Sequence, residues 1–168
     1  MSVSDALVAA LVEIEQHVGR SGWDQPARLF ALVRSVDLRA AEPGLWLGRP
    51  EPLAGALSAI EQDGFHSGDD LAATLAEIYW PVSVTGCAVA LERSFLPKDA
   101  EAELPDDLEA AARTVAAHPR RMDLRVVVGV TRDGTRHGVA RFRDAGEELI
   151  AGPDLVPALA QALSHTLE

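Results

Sequence analysis

The sequence has one cysteine, Cys87, so an internal disulfide framework is excluded. It has no apolar run near the roughly 20 residues of a membrane span, and no basic segment followed by an apolar one at its N-terminus. These absences predict a cytoplasmic protein that has no membrane partner. The sequence also lacks the Gly-x-Ser-x-Gly, Gly-x-Gly-x-x-Gly, Cys-x-x-Cys and phosphate-loop motifs, which removes the simplest arguments for an enzyme and predicts no cofactor.

Cations are scarce: 15 lysines and arginines face 26 acidic residues, for a net charge of −11. Such a surface repels phosphate backbones and disfavours nucleic acid as a partner, unless the charges are segregated. Residues 113–143 do hold eight arginines, whereas residues 99–109 hold six carboxylates and no cation. We expect these two blocks to neutralise each other. An anion site built from the arginines is the alternative.

The length of 168 residues predicts a single domain spanning residues 1–168, large enough to bury its own core. Apolar periodicity and capping residues predict helices at 4–19, 67–79, 106–117 and 155–167. Apolar runs predict strands at 29–33, 82–93 and on both sides of a hairpin at 122–143, and residues 55–62 favour a strand over a short helix. This order predicts an α+β fold: an antiparallel sheet of four to five strands with helices packed mainly on one face.

The hairpin prediction rests on Asp133-Gly134, a pair typical of a two-residue type I′ loop. This loop would pair Val130 with His137 and would place Gly129 opposite Gly138. Two facing glycines leave bare backbone that a helix, a ligand or a second chain can approach closely. The same register would put Arg125 and Arg136 on one face of the hairpin.

Other candidate residues have ordinary structural explanations. His118 and His137 do not share a helical face and match no ligand spacing with Asp123 or Asp133, so no metal is predicted. Cys87 lies in an apolar strand and is expected to be a small buried hydrophobic residue. The carboxylate pairs at 69–70 and 106–107 are explained as helix N-caps.

Several segments resemble a family of uncharacterised actinobacterial proteins. They are Gly-Trp-Asp-Gln-Pro at 22–26 with Leu-Phe-Ala-Leu-Val at 29–33, Trp80-Pro81 with Gly86-Cys87-Ala88, and Val-Gly-Val-x-Arg-Asp-Gly at 128–134. The resemblance implies a cytoplasmic actinobacterial protein and supplies no activity or cofactor. It directs attention to a set of candidate ligand-binding residues: Trp23, Asp24, Gln25, Arg121, Asp123, Arg125 and His137.

We therefore expect a non-catalytic cytoplasmic binding or protein-interaction domain, chaperone-like or self-associating, whose partner is another protein or a second copy. The competing hypothesis is a small-molecule site, enzymatic or regulatory, between the Trp23–Gln25 loop and the hairpin at 122–143. There Arg121 and Arg125 would hold an anionic group, and His137 or Asp24 would act as acid or base.

Overall fold

The computed structural model describes residues 2–68, 70–96, 104–144 and 148–168. Its centre is one antiparallel sheet of six strands in the order β2-β1-β3-β4-β5-β6. The strands are β1 (Arg28–Arg34), β2 (Leu57–Glu61), β3 (Gly86–Phe95), β4 (Met122–Thr131), β5 (Arg136–Phe142) and β6 (Leu149–Gly152). The helices are α1 (Val3–Gly19), α2 (Ser35–Ala41), a 3-10 turn (Pro43–Trp46), α3 (Leu71–Leu75), α4 (Leu108–Ala117) and α5 (Pro157–Thr166).

The predicted α+β fold with an antiparallel sheet is confirmed, with six strands in place of four to five. The helices are divided between the two faces rather than packed mainly on one. Helix α1 covers one face, while α3 and α5 cover the other. The central strands require both layers, because Val126 and Val128 point to one face and Val127 to the other, and all three are buried.

Helix α1 forms as its sequence predicts. Ser2 and Asp5 make a reciprocal capping box, which satisfies two of the backbone N–H groups that a helix start leaves unpaired. The buried stripe of α1 consists of Leu7, Leu11, Ile14 and Val18, and Glu15 is buried beside it. The helix is therefore held by apolar packing along most of its length and by a carboxylate near its end.

The predicted register of the hairpin is wrong by one residue. Val130 pairs with Arg136 and Gly129 with His137, because the loop contains three residues instead of two. The Thr131 N–H donates to the Thr135 carbonyl at 2.9 Å, and Gly134 takes a positive φ of 90°. The Asp133 carboxylate accepts hydrogen bonds from Thr131 Oγ1 and from the Thr135 N–H, and so fixes the turn that Gly134 closes.

This register changes which side chains share a face. The two hairpin glycines are not opposite each other: Gly129 lies against Leu7 and Leu11 of α1, and Gly138 lies against Leu155. Close packing by a helix accounts for Gly129. Arg125 pairs with Arg141 and shares its face of the sheet. Arg136 is five positions from Arg141 along β5, an odd number, so its side chain lies on the opposite face.

Between β1 and α3 the chain differs most from the sequence-based prediction. The strand predicted at 55–62 is confirmed as Leu57–Glu61, but α2 and the 3-10 turn were not predicted. Helix α3 is shorter than predicted and is capped by Asp70, whose side chain accepts from the Ala73 N–H. Residues 97–103, which include the first part of the acidic block at 99–109, lie outside the described residues, as does Asp69.

Candidate functional site

The loop after α1 is shaped by a close contact with β4. A Cβ on Gly19 would lie 3.1 Å from Nη1 of Arg125, so the absence of a side chain lets the guanidinium reach the end of the helix. The chain then turns through Gly22 and Asp24, which have φ values of 84° and 66°. Asp24 tolerates this left-handed conformation better than most residues that carry a side chain.

Glu92 of β3 holds this loop in place. Its carboxylate accepts the backbone N–H of Asp24 at 2.9 Å and that of Gln25 at 2.7 Å. The Gln25 side chain turns back and donates to the carbonyls of Val18 and Gly22 at 3.0 and 2.6 Å. Asp24 and Gln25 therefore position the loop through their backbone and amide groups.

Arg125 lies under this loop and is 2% exposed. Its Nη1 donates to Oε2 of Glu15 at 3.0 Å, and its Nη2 donates to the Gly22 carbonyl at 2.7 Å. The guanidinium carbon lies 4.3 Å from the ring centroid of Trp23, in cation–π geometry. Its Nε is buried and has no hydrogen-bond partner among the described residues.

The Glu15 carboxylate bridges two strands. Its Oε1 accepts from Arg141 of β5 at 2.7 and 2.8 Å, while its Oε2 binds Arg125 of β4. Burial alone would raise the pKa of Glu15, but the hydrogen bonds from Arg141 and Arg125 outweigh burial and hold the pKa below its usual value. Glu15 is therefore ionised at neutral pH and ties α1 to the sheet.

A second ion pair closes the outer side of the loop. Arg143 donates to both carboxylate oxygens of Asp24 at 2.9 and 3.0 Å and lies 5.5 Å from the Trp23 ring. These hydrogen bonds lower the pKa of Asp24. We call these six residues the loop cluster: Glu15, Trp23, Asp24, Arg125, Arg141 and Arg143.

Gln25 adjoins the loop cluster in sequence, and three other predicted site residues lie farther from it. Arg121 and Asp123 form their own ion pair at 3.1 Å beside a surface cavity of about 350 Å³, joined to the cluster by a hydrogen bond from the Arg143 N–H to the Asp123 carbonyl. His137 is four residues along β5 from Arg141, about 13 Å at the usual strand rise. The structure thus brings together Trp23, Asp24, Gln25 and Arg125, and it leaves His137 apart from them.

Sequence reasoning missed Glu15, Glu92, Arg141 and Arg143. Glu15 did carry a signal, because it interrupts the apolar pattern of α1 four residues after Leu11, on the buried side of the helix. A carboxylate buried at such a position needs a paired cation. The described arginines of 113–143 find partners in several parts of the chain. Arg132, for example, donates to the carbonyls of Val84 and Pro81. Most of these charges are therefore used inside the fold.

The outer edge of the sheet at β2 has a different character. The Gln62 N–H donates to the Leu29 carbonyl, and the Ser35 N–H donates to the Ala56 carbonyl. Because hydrogen-bonding direction alternates along an antiparallel strand, the backbone groups of Leu57, Ala59 and Glu61 point away from β1. In the described part of the chain, none of these outward groups has a hydrogen-bond partner.

Two clefts flank this edge. One of about 900 Å³ lies between α1 and the segment from α2 to Arg49, and residues 58–61 line it. The other, of about 660 Å³, lies on the opposite face between residues 60–65 and 77–80. Large apolar side chains are exposed in them: Leu45 is 55% exposed, Ile60 39% and Tyr79 81%. We call this edge with its two clefts the β2 edge.

Neither a metal-ligand cluster nor a membrane-spanning helix is found in the described ranges. There, no group of three histidine, cysteine or acidic residues is placed to hold a metal ion. No helix within them is long and apolar enough to cross a bilayer. Cys87 is buried against Thr166, and burial raises the pKa of its thiol to about 11, so it is not a nucleophile at neutral pH.

Fold and site together define an antiparallel α+β protein whose predicted polar site is internally paired and whose sheet ends in an exposed edge. The profile of one protein family, described as PPA1309-like protein, matches residues 7–168, and the chain therefore belongs to that family. The family description names no activity, ligand or partner. Neither a curated protein nor a solved structure matches the chain.

Proposed function

We propose that this protein is a non-catalytic binding domain of the cytoplasm that associates with another polypeptide through the β2 edge. The observation that carries the proposal is the row of outward backbone groups at Leu57, Ala59 and Glu61, flanked by clefts that expose Leu45 and Tyr79. An extended chain added there would gain main-chain hydrogen bonds and would bury its side chains in the clefts.

The other end of the sheet is less suited to this role. Strand β6 has only four residues and is followed directly by Pro153, which cannot donate a ladder hydrogen bond. Short strands and nearby prolines are devices by which proteins protect an edge. Strand β2 is one residue longer, has no proline within it or directly after it, and exposes the apolar residue Ile60.

The competing small-molecule site has weaker support. Arg125 is almost fully buried and already donates to Glu15 and to the Gly22 carbonyl, so an anion from solvent could not reach its guanidinium without opening the loop. Asp24, the candidate acid or base, is paired with Arg143 through both oxygens. The loop cluster therefore has the character of a structural ion-pair network.

Strand addition is tested with the substitution Ala59→Pro. Ala59 is exposed and its N–H points outward, so proline removes a docking donor without breaking a hydrogen bond to β1. Ala151→Pro is the matched control, because Ala151 is also exposed and, by the same alternation, its N–H points outward from β6. Ile60→Lys serves as a second variant should Ala59→Pro fail to fold.

A phage-displayed library of random peptides is selected on the wild-type protein, and each binder is retested on the variants. We expect binders that are lost with Ala59→Pro or Ile60→Lys and kept with Ala151→Pro. A selection that yields no binder, or binders indifferent to the β2 substitutions, would overturn the proposal. The library is unbiased in charge, so it tests the use of the edge separately from the chemistry of the partner.

A further inference from the structure

We infer that the occupant of the β2 edge is an extended segment of another protein in which apolar residues alternate with lysine or arginine. This inference rests on the proposed function and adds the chemistry of the partner. It is carried by the charges around the larger cleft, together with the apolar side chains exposed in the smaller cleft on the opposite face.

The rim of the larger cleft is acidic. Glu13, Glu42 and Asp63 are exposed there, and none of the three has an ion-pair partner among the described residues. Glu61 also lines the cleft, but it is held by Arg28 through two hydrogen bonds of 2.6 Å. The remaining unpaired charge on the rim is therefore negative.

The cations of the same cleft are few and partly engaged. Arg49 stacks over the Trp46 ring with its guanidinium carbon 4.8 Å from the centroid. His17 lies 3.2 Å from an Arg28 nitrogen and 3.5 Å from a Glu61 oxygen. A partner that brings lysine or arginine would pair with the three rim carboxylates, whereas an acidic partner would face them without compensation.

Apolar residues supply the second half of the recognition. The smaller cleft presents Ile60, Phe65, Ile78 and Tyr79, whereas the acidic rim lies on the face of the sheet that α1 covers. Side chains of an added strand alternate between the two faces of the sheet. A segment that alternates apolar and basic residues can therefore direct its apolar side chains to the smaller cleft and its basic side chains to the acidic rim of the larger one.

A second copy of this chain fits the edge less well. Antiparallel pairing of two β2 strands about Ala59 would bring the rim carboxylates of both clefts to one junction. The whole chain carries a net charge of −11, so approach of two copies is also opposed at longer range. Charge complementarity therefore favours a basic partner over self-association.

The test uses two synthetic peptides of equal length, one alternating valine with lysine and the other valine with glutamate. Binding to the full chain is measured by isothermal titration calorimetry at low and at high salt. We expect the lysine peptide to bind, with an affinity that falls as salt screens the rim charges, and the glutamate peptide to bind at least roughly tenfold more weakly.

The variant Glu13→Gln/Glu42→Gln/Asp63→Asn removes the rim charge while keeping side-chain size. Each exposed ion pair contributes about 1.4- to 5-fold in affinity, so we expect the triple variant to lose roughly tenfold for the lysine peptide. Glu148→Gln, which removes an exposed carboxylate beside the opposite edge, should leave the affinity unchanged. Binding of the lysine peptide should also be lost with Ala59→Pro.

Three results would overturn the inference. Equal binding of both peptides, lost with Ala59→Pro, would leave the edge as a docking site and remove its preference for basic partners. Lysine-peptide binding that survives Ala59→Pro would show adsorption elsewhere on an acidic surface. A wild-type dimer in sedimentation equilibrium that Ala59→Pro converts to a monomer would identify a second copy as the occupant.

Discussion

Oε2 of Glu15 lies 3.0 Å from Nη1 of Arg125, although the two residues are 110 positions apart in the chain. Both side chains are almost fully buried, at 1% and 3% exposure. A buried ion pair of this kind does not by itself make a protein more stable than apolar residues would. Removal of one partner is nevertheless costly, because it leaves the other charge buried and unpaired. The pair therefore holds α1 in a fixed position against β4.

Glu15→Gln should destabilise the fold by about 3–5 kcal/mol, since it leaves Arg125 and Arg141 without their shared counter-charge. Urea unfolding measures the loss. Asp37→Asn is the matched control, because its ion pair with Arg34 is exposed on both sides and should contribute little to stability. Equal effects of the two substitutions would contradict the structural role of Glu15.

The same carboxylate predicts a pH dependence. The pKa of Glu15 is lowered in the folded state from 4.5, so between the two pKa values the unfolded chain binds more protons than the folded one. Its contribution is fully present above about pH 4.5 and is lost as the pH falls through the folded pKa. Urea unfolding at stepped acidic pH should give a shallower loss for Glu15→Gln than for the wild type.

Gly129→Ala should be costly because of close packing by α1. An added Cβ would lie 2.7 Å from Leu11 Cδ2 and 3.1 Å from Leu7 Cδ1, both fully buried. Overpacking of this kind costs about 1–3 kcal/mol. Gly64→Ala is the control, since nothing lies within 4 Å of its added Cβ and its φ is not positive. Thermal unfolding should separate the two variants.

Cys87 should be unreactive in the native state. Burial raises the pKa of its thiol to about 11, so almost no thiolate exists at neutral pH, and the side chain is not solvent-accessible. Ellman's reagent should therefore label it only on global unfolding, at a rate that follows the urea transition. Rapid labelling of the folded protein would mean that α5 opens locally over β3.

Much of the fold could be predicted from the regular spacing of apolar residues along the sequence. The stripe of α1 and the apolar runs of β1, β3 and β4 each identify an element, because burial on one or both faces leaves a regular signature. Helix α2 and the 3-10 turn carry no such signature: within α2, only Ser35 is buried. Their conformation follows from the chain reversal between β1 and β2, which is a tertiary requirement.

The candidate site was only partly predictable for a related reason. Trp23, Asp24 and Gln25 adjoin one another in sequence, and the resemblance directs attention to Arg125, but their partners Glu15, Glu92 and Arg143 come from other parts of the chain. His137 lies apart because it pairs with Gly129, four positions along the ladder from the Arg125–Arg141 pair, although a loop of three residues shifts the hairpin by one position. Such a shift reassigns every pair along the ladder.

The two possible loop lengths predict opposite effects of the substitution Asp133→Gly on stability. In a two-residue type I′ loop, Asp133 would need a positive φ, and Asp133→Gly would relieve strain and stabilise the hairpin. In the observed loop, only Gly134 has a positive φ, and the Asp133 carboxylate accepts hydrogen bonds from Thr131 and Thr135. Those hydrogen bonds lower the pKa of Asp133.

Asp133→Gly should therefore destabilise the protein by about 1–2 kcal/mol, through lost hydrogen bonds and a more flexible unfolded chain. Gly134→Ala should cost a similar amount, since it forces a side chain into the left-handed region. Urea unfolding of Asp133→Gly distinguishes the loops, because both loops need a positive φ at residue 134 and Gly134→Ala destabilises either one. Loss of stability with Asp133→Gly requires the three-residue loop, and with it the ladder that pairs Gly129 with His137 and aligns Arg125 with Arg141 over Glu15.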